Sequence, residues 1–216
     1  MIFLFDMDGT VIDTEKYYRI CWKQALSDFG YEMTDEQALS MRSLGRPFAP
    51  ERLKEYFGAD ADYARIRNHR RALMKEMCDR EGIEEKPGAG ELLSYLKENG
   101  HIAAIATATD AARSEECLKE VGLFDYITRI ISATEVKEGK PSPDIYLYAC
   151  EVLGEKPEEC FAVEDSPNGV TSAYLAGCKT IMIPDLSPAD KELRPMLYRE
   201  YASLFELKKA IEEGKL

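Results

Sequence analysis

The chain has only two histidines, no closely spaced cysteine pair and no excess of basic residues, so several common kinds of protein chemistry have little to work with. Its cysteines fall at positions 21, 78, 117, 150, 160 and 178. None forms a C-x-x-C pair, so neither a zinc site nor a redox dithiol is signalled. None is followed by arginine six positions on, which removes the cysteine-phosphatase loop C-x5-R. His69 lies in a charged NHRR run and His101 just ahead of an apolar stretch, and both read as solvated residues rather than catalytic ones. Lysine plus arginine number 28 against 40 aspartate plus glutamate, a formal net charge of −12. Nucleic acids and anionic membranes demand a basic surface, so neither is expected as a partner. No apolar run is long enough to cross a bilayer. The opening run is too short, and has no charged region before it, to be a signal peptide. The expected setting is the cytoplasm, with the thiols free and reduced.

What is present is a chain of 216 residues, 45% hydrophobic, enough for one domain with an insertion or for two small ones. Its organising stretch is the first: MIFLFDMDGTVIDTE. The apolar run Ile2 to Phe5 stops abruptly at Asp6-Met7-Asp8-Gly9-Thr10, as a buried strand does at its carboxyl edge. Residues two apart on a strand share a face, so Asp6 and Asp8 can project toward one spot. Open α/β sheets bind ligands beyond the carboxyl ends of their strands. Two carboxylates that close repel unless a cation or a shared proton intervenes. A hard metal such as Mg²⁺, working on a phosphate, satisfies that requirement. Taken alone, the same pair would also serve to cap the next helix. An EF-hand does not fit, because its turn glycine would fall at Val11 and its last glutamate at Tyr17.

From Thr14 to about Glu85 the spacing predicts helices and no strand. Tyr18, Cys21, Trp22, Ala25 and Phe29 share one face of the first, which Gly30 ends. A second helix opens at Thr34-Asp35, Gly45-Arg46-Pro47 breaks the chain, a third runs from Arg52 to Phe57, and a charged one from Asp60 to about Arg80. Strands and helices then alternate. Strands are expected at Ile102 to Ala106, Tyr126 to Ser132, Cys160 to Val163 and Thr180 to Ile183. Helices are expected around Leu92–Leu96, Ala111–Val121, Asp144–Leu153, Pro167–Ala176 and Leu204–Glu213. The pattern is an α/β fold, doubly wound on a mostly parallel sheet. Its core is expected from residues 1–14 and 86–216, with 15–85 as an inserted, all-helical domain. No exposed apolar stripe stands out, and a monomer or weak dimer is expected.

Three later stretches carry polar residues suited to phosphate. Thr107, with the amides that follow it at Ala108, ends one strand; Lys140 sits in the stiff turn EGKPSPD; and Glu164-Asp165 follow the apolar CFAV. A threonine there also caps helices, most lysines are solvated, and acidic pairs usually sit in water. In order, FDMDGT, ATATD, KPSPD and VEDSPNG resemble the four motifs of the haloacid dehalogenase superfamily, and the likeness covers essentially the whole chain. The helical insertion resembles that family's cap.

That resemblance implies Asp6 as nucleophile, forming an aspartyl-phosphate, with Asp8 as general acid and then base. It implies Mg²⁺ held by the Asp6 carboxylate, the Asp8 carbonyl and Asp165, with Glu164 in support, and Thr107 and Lys140 neutralising the transferring group. A small-molecule phosphate ester, with a sugar phosphate first, is the implied substrate. Dehalogenases of the family generally lack the second aspartate, so Asp8 argues for a phosphatase. KYYRICW resembles the beta-phosphoglucomutase subfamily, whose mutase has a histidine where this chain has Tyr18. Hydrolysis is therefore favoured over a phosphosugar mutase. A phospho-receiver protein is disfavoured, because its aspartate lies on a later strand and it has no cap. Tyr18 and Arg46 are candidate cap contacts to substrate, Arg46 for a distal anion, with Glu15, Tyr17 and the stretch near Asn68 as further candidates. Hinges for cap opening are expected near Thr14 and Glu85.

Overall fold

The computed structural model describes all 216 residues. It begins with β1 (Ile2–Phe5), followed by four helices: α1 (Glu15–Asp28), α2 (Asp35–Ser40), α3 (Phe48–Phe57) and α4 (Tyr63–Glu81). Then come α5 (Ala89–Glu98), β2 (Ile102–Thr107), α6 (Ala111–Glu120), β3 (Arg129–Ser132) and α7 (Asp144–Leu153). The chain closes with β4 (Cys160–Glu164), α8 (Pro167–Ala176), β5 (Lys179–Met182), β6 (Arg199–Glu200) and α9 (Leu204–Glu212).

All six strands are parallel, in the order β3-β2-β1-β4-β5-β6. The sheet is apolar on both sides because both are covered. Phe3 and Phe5 pack with Phe161 under Leu92, Leu96 and Leu118, while Ile2 and Leu4 meet Ile145, Ala149 and Ala173 on the opposite face. Strand order reverses at β1, the crevice where such sheets bind ligands. Phe5 stands beside Ile105 and Val163, so the next residues along, Asp6, Ala106 and Glu164, emerge level with one another.

Helices α1–α4 gather a core of their own from Trp22, Leu26, Met41, Leu53 and Ile66, as a cap over that edge. The chain leaves and re-enters the sheet side by side. Asp13 N–H donates to the Glu84 carbonyl, and Lys86 N–H to that of Val11, both at 2.8 Å. We place the division between residues 15–85 and the remainder at this crossing.

Three elements depart from the sequence expectation. Tyr126 to Thr128 is not strand: Phe124–Tyr126 makes a tight turn, and β3 pairs with β2 only from Arg129 onward. Helix α3 begins at Phe48 rather than Arg52, because Pro47 ends the loop and presets a helical start. The edge strand β6 was not expected; it is two exposed charged residues, whose composition gives no strand signal.

Candidate active site

The site is assembled where β1, β2 and β4 run out. Asp6 closes β1 and is 2% exposed. Its Oδ1 accepts from Lys140 Nζ at 2.5 Å, while its Oδ2 is buried without a partner. Lys140 is fully enclosed; its ammonium also donates to Glu164 Oε1 at 2.6 Å and to the Ala106 carbonyl at 2.9 Å. Burial alone would discharge this lysine, but Asp6 and Glu164 outweigh it and hold its pKa above the usual value. Tyr146 donates to Glu164 Oε1 at 2.6 Å from below.

Asp8 is held from two sides. Thr14 Oγ1 donates to one of its oxygens at 2.6 Å and Thr109 Oγ1 to the other at 2.9 Å. Gly9, directly after Asp8, turns at φ +90°. A Cβ there would lie 2.4 Å from Asp165 Oδ2, so only glycine lets this turn sit against Asp165. Asp6 and Asp8 both line the floor of a cleft beneath the cap.

Asp6, Glu164 and Asp165 bring carboxylate oxygens within 4.8 Å of one another, all buried. Desolvation, reinforced by Glu164 and Asp165, raises the Asp6 pKa well above the carboxylate range against the pull of Lys140. Burial pushes Asp165 up to about 7, although Arg42 opposes it. Like charges this close, with one oxygen orphaned, fit a hard divalent cation bound through oxygen. Mg²⁺ suits the donor set.

The cap supplies the remaining wall. Glu15, Tyr18, Arg46, Arg67 and Arg70 line the cleft, with Ala108 and Lys137 opposite. Arg70 is buried, stacks its guanidinium 4.2 Å from the Tyr18 ring centre and leaves Nε without a partner. The α2–α3 loop seals one side: Gly45 N–H donates to the Lys140 carbonyl and Gly139 N–H to that of Arg46, each at 2.7 Å. A Cβ on Gly45 would approach the Gly139 backbone to 2.5 Å, so the seal needs glycine on both strands of the contact.

Of the residues expected from sequence, Asp6, Asp8, Lys140, Glu164 and Asp165 converge. Ala108, Tyr18, Arg46 and Glu15 line the cleft. Thr107 is fully buried instead, its Oγ1 accepting the Thr109 N–H at 3.1 Å. Tyr17 turns away to the Gly82 carbonyl. Neither histidine lines the cleft; His69 pairs with Asp28 and His101 lies by the N-terminus. Residues not anticipated are Arg42, Thr14, Thr109 and Tyr146, whereas Arg67 and Arg70 come from the stretch near Asn68 that the sequence offers as a candidate. Arg70 did leave a trace: it interrupts the apolar spacing Ile66, Leu73, Met77 on α4.

A buried lysine, a carboxylate cluster and a helical cap at the switch point of a parallel sheet make up the apparatus of an α/β phosphoryl-transfer hydrolase. The family of haloacid dehalogenase-like hydrolases matches residues 3–183, and the chain belongs to it, in the helical-cap group that includes beta-phosphoglucomutase and CbbY. It is 33% identical over 188 residues to hexitol phosphatase A of Escherichia coli, covering 87% of this chain and 84% of that one. It is 28% identical over 180 residues to beta-phosphoglucomutase of Bacillus subtilis, covering 81% and 79%. Among solved structures, CbbY from Rhodobacter sphaeroides in complex with phosphate superposes with a TM-score of 0.79 at 26% identity, over 95% of each chain.

Proposed function

We propose that this hydrolase is a Mg²⁺-dependent phosphatase of small phosphorylated metabolites, with sugar phosphates as the leading class. The observation that carries this reading is Asp6, a buried carboxylate fixed by Lys140 through one oxygen while the other is unpartnered, at the floor of a cleft beside Asp8.

The chemistry follows from these positions. An Asp6 oxygen attacks phosphorus, and the bond from phosphorus to the ester oxygen breaks. Asp8 gives its proton to that departing oxygen, releasing the alcohol and leaving an aspartyl-phosphate. Water then attacks phosphorus, its proton passes to Asp8, and the Asp6 carboxylate returns as phosphate leaves. Thr14 and Thr109 hold the Asp8 carboxylate ready for both transfers. Lys140 stays fixed against the developing charge, without reorganising at the moment of reaction. Asp6, Asp165, Glu164 and the Asp8 backbone carbonyl would hold Mg²⁺, which supplies charge neutralisation for the phosphoryl group. The cap excludes water and bulky esters. Its cationic wall of Arg46, Arg67 and Arg70 suits a polar, anionic metabolite in a protein of net charge −12.

A phosphosugar mutase would use the same intermediate and return the phosphoryl group to sugar. Tyr18 argues against it, because the cleft position that a mutase gives to histidine holds a phenol stacked on Arg70. The deciding experiment measures inorganic phosphate released from hexose phosphates, phosphoglycolate and pyrophosphate, with Mg²⁺ and again with EDTA. Release that needs Mg²⁺ is the expected result. Folded, Mg²⁺-binding protein that releases none, yet isomerises a hexose phosphate, would overturn hydrolysis in favour of the mutase.

A further inference from the structure

Arg42 belongs to the cap, yet it reaches the carboxylate cluster of the core. It is 3% exposed. One terminal nitrogen, Nη2, donates to Asp165 Oδ2 and lies 3.4 Å from the Asp165 carbonyl oxygen. The other, Nη1, donates to Ser187 Oγ at 3.2 Å, and Nε lies 3.5 Å from Glu15 Oε2. The Arg42 backbone is tied down as well: Asn168 Nδ2 donates to its carbonyl at 2.7 Å and to that of Ser40 at 3.2 Å. The docked guanidinium thus bridges Glu15 of the cap and Asp165 of the core, and nothing in the chemistry proposed above uses it.

Its placement carries a consequence. Asp165 is one of three carboxylates gathered for a divalent cation, and the Arg42 charge already rests on one of its oxygens. Two cations drawing on one buried carboxylate oppose each other, and such opposition acts equally in both directions. We infer that Arg42 is a positioning residue that couples the cap to the metal site: docked on Asp165 it holds the α2–α3 loop down and weakens Mg²⁺ binding, and bound Mg²⁺ in turn loosens the loop. Cap closure over the loaded site then waits on an incoming phosphoryl dianion, whose negative charge lets both cations remain. This rests on the metal site proposed above.

The test uses Mg²⁺ alone, with no substrate. Calorimetry would compare wild type, Arg42→Gln and Arg42→Lys, with Asp165→Asn as the control for the site. Arg42→Gln should bind Mg²⁺ about tenfold more tightly, toward the lower end of the usual range of coupling between sites. Arg42→Lys, which keeps the charge, should stay near wild type. A residue that merely supports the fold would weaken binding when lost, so the direction separates the two roles. Hydrogen exchange on wild type needs no variant: Mg²⁺ should speed exchange at the Gly45 and Ala49 amides, and inorganic phosphate added with Mg²⁺ should slow it again. Unchanged or weaker Mg²⁺ binding by folded Arg42→Gln, with binding still lost in Asp165→Asn, overturns the coupling and leaves the site standing. No Mg²⁺ binding by any of the proteins overturns both.

Discussion

Replacing Lys140 by methionine tests the electrostatic logic of the site at its centre. The substitution keeps an unbranched stem of similar volume and removes the ammonium. That leaves Asp6 and Glu164 enclosed without their cation and takes a donor from the Ala106 carbonyl. Breaking a buried ion pair from one side costs about 3–5 kcal/mol, mainly because the remaining charge is stranded. For a domain stable by roughly 5–15 kcal/mol, that is a large share. The loss should depend on pH in a definite direction. Burial already raises the Asp6 pKa against the pull of Lys140, and removing the lysine raises it further. Where Asp6 is ionised the cost is that of a stranded charge. As pH falls Asp6 takes up a proton more readily than an ordinary carboxyl, and the loss should shrink toward the ~1–2 kcal/mol of unmade hydrogen bonds. Urea unfolding in EDTA at pH 8 and at pH 5 reads the direction of this change, and saturating Mg²⁺ at pH 8 should return part of the loss. In turnover, the missing cation should lower kcat by about 10²–10³, the scale of removing one preorganised charge-stabilising group. A stability loss below about 1 kcal/mol at pH 8, or an equal loss at both pH values, would refute the reasoning, because either would mean that Lys140 neutralises no buried charge.

Asp6→Asn should fold normally, bind Mg²⁺ more weakly and lose turnover, with no phosphate burst in rapid-quench assays; full activity would sink the proposed nucleophile. Asp8→Ala should lower kcat by about 10²–10⁴ with a smaller effect on esters of good leaving groups, since those need no proton. Apparent Mg²⁺ affinity should fall as pH drops below about 7, because Asp165, pushed up to about 7 by burial, must release its proton to bind. The stability sign is linked. Between its ordinary pKa of 3.8 and about 7, Asp165 is protonated in the folded protein and ionised in the unfolded one. It therefore makes metal-free stability decline as pH rises through that window. A thermal-shift series with and without Mg²⁺ should show the metal's stabilising effect growing from pH 5 to 7.5; a flat series would contradict it. Gly45→Ala should spoil the contact with Gly139 and cost about 10²-fold in kcat/KM, the scale of misplacing a site by an ångström, while the melting temperature moves little.

What could be read ahead of the structure follows a physical division. Asp6, Glu164 and Asp165 announced themselves because each ends a buried apolar strand, and parallel strands in register must deliver their last residues to one edge. Their convergence needs no knowledge of side-chain packing. Lys140 lies on no strand, and only the stiffness of its turn hinted at a fixed position. Its full enclosure, with three acceptors around the ammonium, depends on the tertiary fold. Asp8 is an intermediate case: its own place was legible, but the hydroxyls that hold it come from Thr14, beyond the turn, and Thr109, after another strand.

Arg42 shows where such reading runs out, and why. Its partner Asp165 is 123 residues away, in the other part of the chain, and the pairing is decided by how the cap rests on the sheet. Short-range patterns cannot report that, since SMRSLG would suit a solvated helix end equally well. Composition carries a general clue. In a chain of net charge −12, an arginine in a shielded position needs buried negative charge, an aromatic face or an open side to offset its desolvation. Arg42 meets that condition through Glu15 and Asp165, whereas Arg70, equally buried, has only the faces of Tyr18 and Trp22 and an open side toward the cleft. The two arginines therefore differ in what they await. Arg42 already has carboxylates on two sides and would have to be released, while Arg70 has none and would gain from an anionic group on the substrate. Arg70→Met should accordingly raise KM for a substrate with a second anionic group more than for a neutral sugar monophosphate. Equal effects on both would assign Arg70 to the packing of the cap alone.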